Sequence, residues 1–186
     1  PEGASSDFNG RLLILDNPAL TNINLSELAS LNWLVVENTA LSELNLSVLE
    51  EIRNLDIESN TNLLTVSAEN LINLDGRLRV RYNPQLTAIS LPALIGSTPP
   101  EIASIEIADN DSLTTIAIDG VSELDHLSIV WNDSLTEFSF ASLTLVYWSA
   151  AISYNPVLCQ SDVDVFFEDV DVLDADPSGT GNDDSC

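Results

Sequence analysis

Three groups of side chains in this chain have types and spacings that suit chemistry. The first is Asp56, Glu58 and Glu106, which a two-residue strand period places on one outward face together with Arg79 and Arg81. Facing carboxylates on a sheet are the equipment of glycoside cleavage, one as acid and one as base or nucleophile. Asp56 and Glu58 stand one repeat before Arg79 and Arg81, so cross-strand ion pairing competes with that role. The second group is Asp174, Asp176 and Ser178 followed by Gly179, spaced like the opening of a calcium loop. The twelfth position is Ser185 rather than a bidentate Glu and Pro177 stiffens the segment, so an acidic closing turn is the competing reading. Calcium is the one cofactor the sequence suggests. The third group is Cys159 and Cys186, whose even count without other ligand spacing reads as one disulfide made in an oxidising compartment. The single His126 reads as a turn residue. With no phosphate-binding Gly loop, His pair or nucleophile elbow, a non-enzymatic protein is expected.

What must position these groups is an internal repeat. Asn17, Asn38, Asn60, Asn83, Asn110, Asn132 and Asn155 recur at spacings of 21, 22, 23, 27, 22 and 23 residues. The long interval contains Gly96-Ser97-Thr98-Pro99-Pro100, an inserted loop. Apolar residues, mostly aliphatic, recur five and three positions before each Asn (Trp33 and Val35 before Asn38) and three after it, and also six and eight after the first six. Alternation on both sides predicts two short strands per coil, each with one buried face. Asn at the corner ends the strand, and stacked Asn amides can bond from coil to coil as a ladder. Asn110 and Asn132 read as glycosylation sequons too, but Asn24 and Asn45 lie at outward positions and are better acceptors.

The fold class expected is therefore mainly β: a right-handed β-solenoid with a short C-terminal capping helix. Residues 1–10 are read as an N-terminal cap, 11–160 as seven coils, and 161–186 as a C-terminal cap. In that cap, the segment from Ser161 to Val170 opens with Ser/Asp helix-capping chemistry. Its Val163, Phe166, Phe167 and Val170 would cover the last coil, and the disulfide would tie the acidic tail back.

Composition bounds the partners. Thirty acids against five arginines and no Lys give a formal charge of −25, which repels nucleic acid and anionic lipid. No run of 18 apolar residues exists to span a membrane. The chain opens without Met, as a secreted or surface protein does once its signal peptide is gone. In the outward columns, Leu13, Leu15, Leu34 and Val36 form an aliphatic patch suited to a protein partner, a neighbouring domain or a homodimer, with cover by an N-terminal segment or loop of the same chain as the competing reading. The position before each Asn adds Tyr82, Trp131 and Tyr154 as further candidate binding residues.

The recurring pattern L-x-I-x-x-N-P-x-L-T-x-I-x-L, as in Leu12 to Leu25 and Leu78 to Leu91, resembles the receptor L domain. That family is a right-handed leucine-rich β-helix of growth-factor receptor ectodomains, fungal cell-wall proteins and bacterial surface proteins. The segments Phe8-Asn9-Gly10-Arg11-Leu12 and Ile152 to Cys159 are similar to its entry and exit coils. The resemblance implies an extracellular recognition or adhesion module that binds a protein or glycan through its solenoid faces. A passive cell-envelope component stabilised by cations and a β-helix carbohydrate-active enzyme are the alternatives.

Overall fold

The computed structural model describes residues 10–96 and 103–186. The expected N-terminal cap, apart from Gly10, and most of the inserted loop lie outside the described residues. Two parallel sheets wind into a β-solenoid. The larger sheet takes the first strand of each coil: β1 (Arg11–Asn17), β2 (Ser30–Thr39), β4 (Glu51–Glu58), β6 (Asn73–Arg81), β8 (Ser104–Ala108), β10 (Glu123–Val130) and β12 (Leu145–Ser153). A two-residue strand, β13 (Asp171–Val172), closes its far edge. The smaller sheet stacks the three-residue strands β3 (Glu43–Asn45), β5 (Thr65–Ser67), β7 (Ala88–Ser90), β9 (Thr115–Ala117) and β11 (Glu137–Ser139).

Register stacks like on like. Leu34, Leu55, Leu78, Ile105, Leu127 and Ala150 pair coil to coil in one inward column, and Val36, Ile57, Val80, Ile107, Ile129 and Ile152 fill the next. Both columns are buried, and the smaller sheet closes the core with Leu44, Val66, Ile89 and Ile116. Coils this narrow leave room for branched aliphatic side chains interdigitating between sheets, which is why the core is almost free of aromatics.

The second coil departs from the expected register. Leu12 pairs with Leu34 and Ile14 with Val36, so Leu34 and Val36 are buried core residues and not part of an exposed patch. Trp33 and Val35, expected inside, point outward and are half-buried. Asn17 aligns with Thr39, leaving Asn38 one position out of the ladder and exposed, its amide donating to Asp16 Oδ1 at 2.9 Å. The corner after Thr39 is one residue shorter than its counterparts. Leu41 and Leu44 therefore key the pattern to Asn38, whereas the strand before them keys to Thr39.

The corner ladder consists of Thr39, Asn60, Asn83, Asn110, Asn132, Asn155 and Asn182. Each backbone N–H donates to the next residue's Oδ1, from Thr39 N to Asn60 Oδ1 at 3.1 Å through Asn155 N to Asn182 Oδ1 at 3.1 Å. Each amide Nδ2 also donates to a main-chain carbonyl of the preceding coil. These buried polar groups are thus satisfied, as burial requires. Asn17 lies outside this chain of bonds, exposed, with its amide on Leu15 O.

At the C-terminus the helix α1 (Gln160–Asp169) replaces a small-sheet strand and buries Val163, while Phe166 and Phe167 pack on the core and Val170 is buried just beyond. Its N-cap is Cys159 and makes no side-chain cap bond, so the expected Ser/Asp capping is absent. The helix start is held instead by the Cys159–Cys186 disulfide, with 5.8 Å between Cα atoms. The tail beyond β13 continues the winding. Ser178 bridges Ala151, Ile152 N donates to Ser178 O, Tyr154 N donates to Thr180 O, and Asn182 ends the ladder. It is the front half of an eighth coil.

Candidate functional site

The outer face of the large sheet carries the residue types that binding surfaces favour. Its strands present three outward columns, two, four and six positions before the ladder residue. Across coils one to seven these hold Arg11, Arg77, Arg79 and Arg81 against Glu37, Asp56, Glu58 and Glu106. Four arginines and four acids cancel. On a chain of net charge −25 these three columns are neutral, although Asp16, Glu51, Asp75, Glu123 and Asp125 on the same strands and Asp109 at the corner leave the sheet side acidic around them.

The charges are interlocked. Arg81 Nη2 donates to Glu58 at 2.9 Å and Nη1 to Glu106 at 3.0 Å. Arg79 Nε donates to Glu106 at 2.8 Å, and its Nη1 lies 3.7 Å from Glu58, closing a four-membered ring over three strands. Asp56 is only 3% exposed and accepts three bonds: Arg77 Nε at 2.8 Å, Arg77 Nη2 at 2.9 Å and Trp33 Nε1 at 2.8 Å. The indole of Trp33 in turn lies between the guanidinium groups of Arg11, 4.4 Å from the ring centroid, and Arg77, 5.9 Å away. The Asp56 hydrogen bond, offset in part by burial, holds the Arg77 guanidinium above its usual pKa. Burial pulls Arg81 down, but its bond to Glu58 and the charges of Glu106 and Glu58 outweigh that and raise it. Both stay cationic. The expected lateral neighbours Asp56–Arg79 and Glu58–Arg81 are in register, but Asp56 pairs diagonally with Arg77, not with Arg79. The carboxylates considered for glycoside chemistry are thus all engaged by arginines.

Aromatics flank this neutral centre. All six Trp and Tyr residues lie on the large-sheet side or its corner, and none is in the buried core. Tyr82, Trp131 and Tyr154 occupy the corner column just before the ladder and are 49%, 50% and 46% exposed. Trp131 and Tyr154 stack face to face, with centroids 4.2 Å apart and planes 7° from parallel. The guanidinium of Arg81 sits 5.4 Å from the Tyr82 ring. Between Tyr82 and Trp131 in the same column stands Asp109, whose carboxyl is held above its usual pKa by partial burial, with Asp111 and Glu106 adding to the rise and Arg81 opposing it. Trp148, in the β12 bulge, is 52% exposed. It breaks the strand alternation, which is why no period-two reading places it on the face.

Every residue in that corner column has positive φ: Asp16, Asn38, Ser59, Tyr82, Asp109, Trp131 and Tyr154 lie between 51° and 60°, and Gly181 continues the column at 76°. The remaining candidates distribute as follows. Leu13 and Leu15 are 48% and 42% exposed on the edge strand β1, while Leu34 and Val36 are buried. His126 is a strand residue of β10, exposed on the outer face, with Nδ1 2.9 Å from Ser149 Oγ. Asp174 and Asp176 are exposed, but Ser178 is built into the eighth coil, with its Oγ 3.2 Å from Ser153 Oγ. Among the described residues no three His, Cys, Asp or Glu side chains converge as a metal site needs. Asn110 and Asn132 are wholly buried in the ladder, whereas Asn24 and Asn45 are exposed.

Fold and face together define an Asn-laddered β-solenoid with an arginine- and aromatic-bearing sheet face whose central charges are ion-paired. Neither family models, curated proteins nor solved structures give a match to this chain. No helix among the described residues is long and apolar enough to cross a membrane.

Proposed function

We propose that this chain is an extracellular recognition or adhesion module, non-catalytic, that binds a protein or glycan partner through the outer face of its large sheet and the aromatic corner beside it. The observation that carries this reading is the clustering of four of the five arginines, ion-paired with Asp56, Glu58 and Glu106, in the central columns of this sheet, with all the Trp and Tyr residues on the same side of a chain of net charge −25. Interfaces are enriched in Trp, Tyr and Arg, which supply most binding energy where they are found. Pairing of Asp56, Glu58 and Glu106 with arginines supports recognition over glycoside cleavage. The resemblance to receptor L domains points the same way, and the disulfide is compatible with an oxidising, extracellular setting.

The test is a binding screen of the full chain on glycan and extracellular-protein arrays, repeated with Trp131→Ala/Trp148→Ala and with Glu43→Gln on the small sheet. Loss of specific hits with the aromatic pair but not with Glu43→Gln is expected. Hits that survive the aromatic changes would place recognition on another surface, and turnover of an arrayed polysaccharide would overturn the non-catalytic reading.

A further inference from the structure

A second candidate site lies where the small sheet ends. Strand β11 is its edge, and the chain places α1 where the next strand would run. A helix with its side chains is about 10–12 Å across, whereas adjacent strands are about 4.8 Å apart, so the replacement cannot seal the edge. A cavity of about 350 Å³ remains between β11 and one face of α1. Its apolar lining includes Phe138, Phe140, Val165 and Phe166, and Val165 is 58% exposed. The Phe138 and Phe166 rings meet edge to face at 5.2 Å, which fixes the floor.

The backbone of that edge has unfilled bonds. In the β9–β11 pairing Glu137 N donates to Thr114 O, and Ser139 O accepts from Ile118 N, so these two residues face β9. Parallel strands alternate, which turns the N–H and C=O of Phe138 toward the cavity. Among the described residues none pairs with those two groups. Glu137, Asp162 and Asp169 stand along the cavity walls.

We infer that this groove docks an extended peptide segment of a partner protein, which adds as a short sixth strand to β11, seats one aliphatic side chain against Phe138 and Phe166, and reaches the three acids with flanking Lys or Arg. Edge-strand N–H and C=O groups supply main-chain bonds in this mode, and pockets for alternate side chains supply specificity. Charge complementarity chooses a basic partner over a second copy of this chain, which has five arginines among thirty acids and no Lys.

The experiment titrates the full chain with capped peptides that alternate Val or Leu with Lys, followed by calorimetry and by the backbone amide resonances. The Phe138 amide is expected to shift first. Methylating the peptide nitrogen that faces Phe138 should weaken binding about five- to tenfold, as loss of one main-chain bond does. Glu137→Gln with Asp169→Asn should weaken it about three- to tenfold. The same neutralisation at Glu43 and Glu69, beside the opposite edge of the small sheet, should have little effect. An unmoved Phe138 amide, indifference to N-methylation, or equal weakening by both pairs of substitutions would reduce the effect to general charge attraction and overturn the proposal.

Discussion

Replacing Asn83 by Ala isolates what the corner ladder contributes. Its Nδ2 donates to Ile57 O at 3.0 Å, Arg81 O at 2.9 Å and Asn110 Oδ1 at 3.2 Å, and its Oδ1 accepts from Asn60 N at 3.0 Å. The side chain is fully buried. Truncation strands the Asn60 N–H and takes one bond each from the carbonyls of Ile57 and Arg81, the latter keeping the Ser59 N–H. A buried unsatisfied N–H costs about 1–3 kcal/mol and each lost carbonyl bond about 0.5–1.5, which puts the total near 2–6 kcal/mol. For a domain of this size each kcal/mol moves Tm by about 2–4 °C, so thermal unfolding followed by circular dichroism should show a fall of roughly 4–24 °C. Asn38→Gly is the control, because Asn38 has φ 51° and Gly adopts that conformation without strain. In the sequence pattern Asn38 and Asn83 are equivalent, but Asn38 is exposed and among the described residues its side chain bonds to Asp16 alone, so its loss should cost no more than about 0.5 kcal/mol. Equal losses at the two positions would refute the register of the second coil. A small loss at Asn83 would refute the ladder as a source of stability.

Asp109→Asn should raise Tm at pH 7 and leave it unchanged below about pH 3. The folded chain holds this carboxyl above its ordinary value of 3.8, so the native state favours its proton and loses stability as pH rises through the shifted value; scanning fluorimetry across pH would read the difference. Reducing the Cys159–Cys186 bond, which closes a 27-residue separation, should remove about 3.5 kcal/mol, or roughly 7–14 °C, in a melt with and without reductant. A much smaller drop would mean that Asn182 and Ser178 hold the eighth coil without it. Tyr82→Asn should leave Tm equal or higher, because Asn accepts positive φ where Tyr is strained, while weakening partner binding on the arrays; a large fall in Tm would show the ring to be structural.

The aliphatic period made the solenoid readable because each coil repeats the same inward columns, and a one-residue slip would expose a whole strand. It failed where that logic loses its grip. Trp33-Leu34-Val35-Val36 is apolar at every position, so alternation cannot choose a face, and the shortened corner after Thr39 let Asn38 imitate a rung. Thr39 fills that rung with a hydroxyl that donates to Asn60 Oδ1 at 2.7 Å, a substitution a search for Asn cannot find. Asn182 was readable in principle, since it follows Asn155 by the 27 residues that separate Asn83 and Asn110. The helix between removes the aliphatic flanks that would have flagged it. The candidate face was half legible. Its exposed columns followed from the period, but the period alone does not choose the diagonal Asp56–Arg77 pair over Asp56–Arg79, and Trp148 depends on the bulge in β12.

The corner column carries the sharpest argument about function. Its backbone must turn with positive φ to swing the next residue into the ladder, and Asp16, Asn38, Ser59, Asp109 and Gly181 are small or polar residues, most of types that tolerate this. Tyr82, Trp131 and Tyr154 are not. A side chain of that size in the left-handed region costs on the order of 1–2 kcal/mol, and each of the three also leaves about half its surface in water. The Trp131–Tyr154 stack returns about 0.5–1.5 kcal/mol, less than two strained residues give up, and the Arg81 guanidinium over the Tyr82 ring returns about 0.5–1 kcal/mol, again less than the strain. Packing therefore does not explain why three of eight equivalent corners carry rings. What the strained turn does achieve is direction: it points rigid aromatic side chains away from the coil, beside the ion-paired arginine–glutamate columns. Rings held that way lose little conformational freedom when a partner covers them, which is the property a recognition surface needs and a structural corner does not.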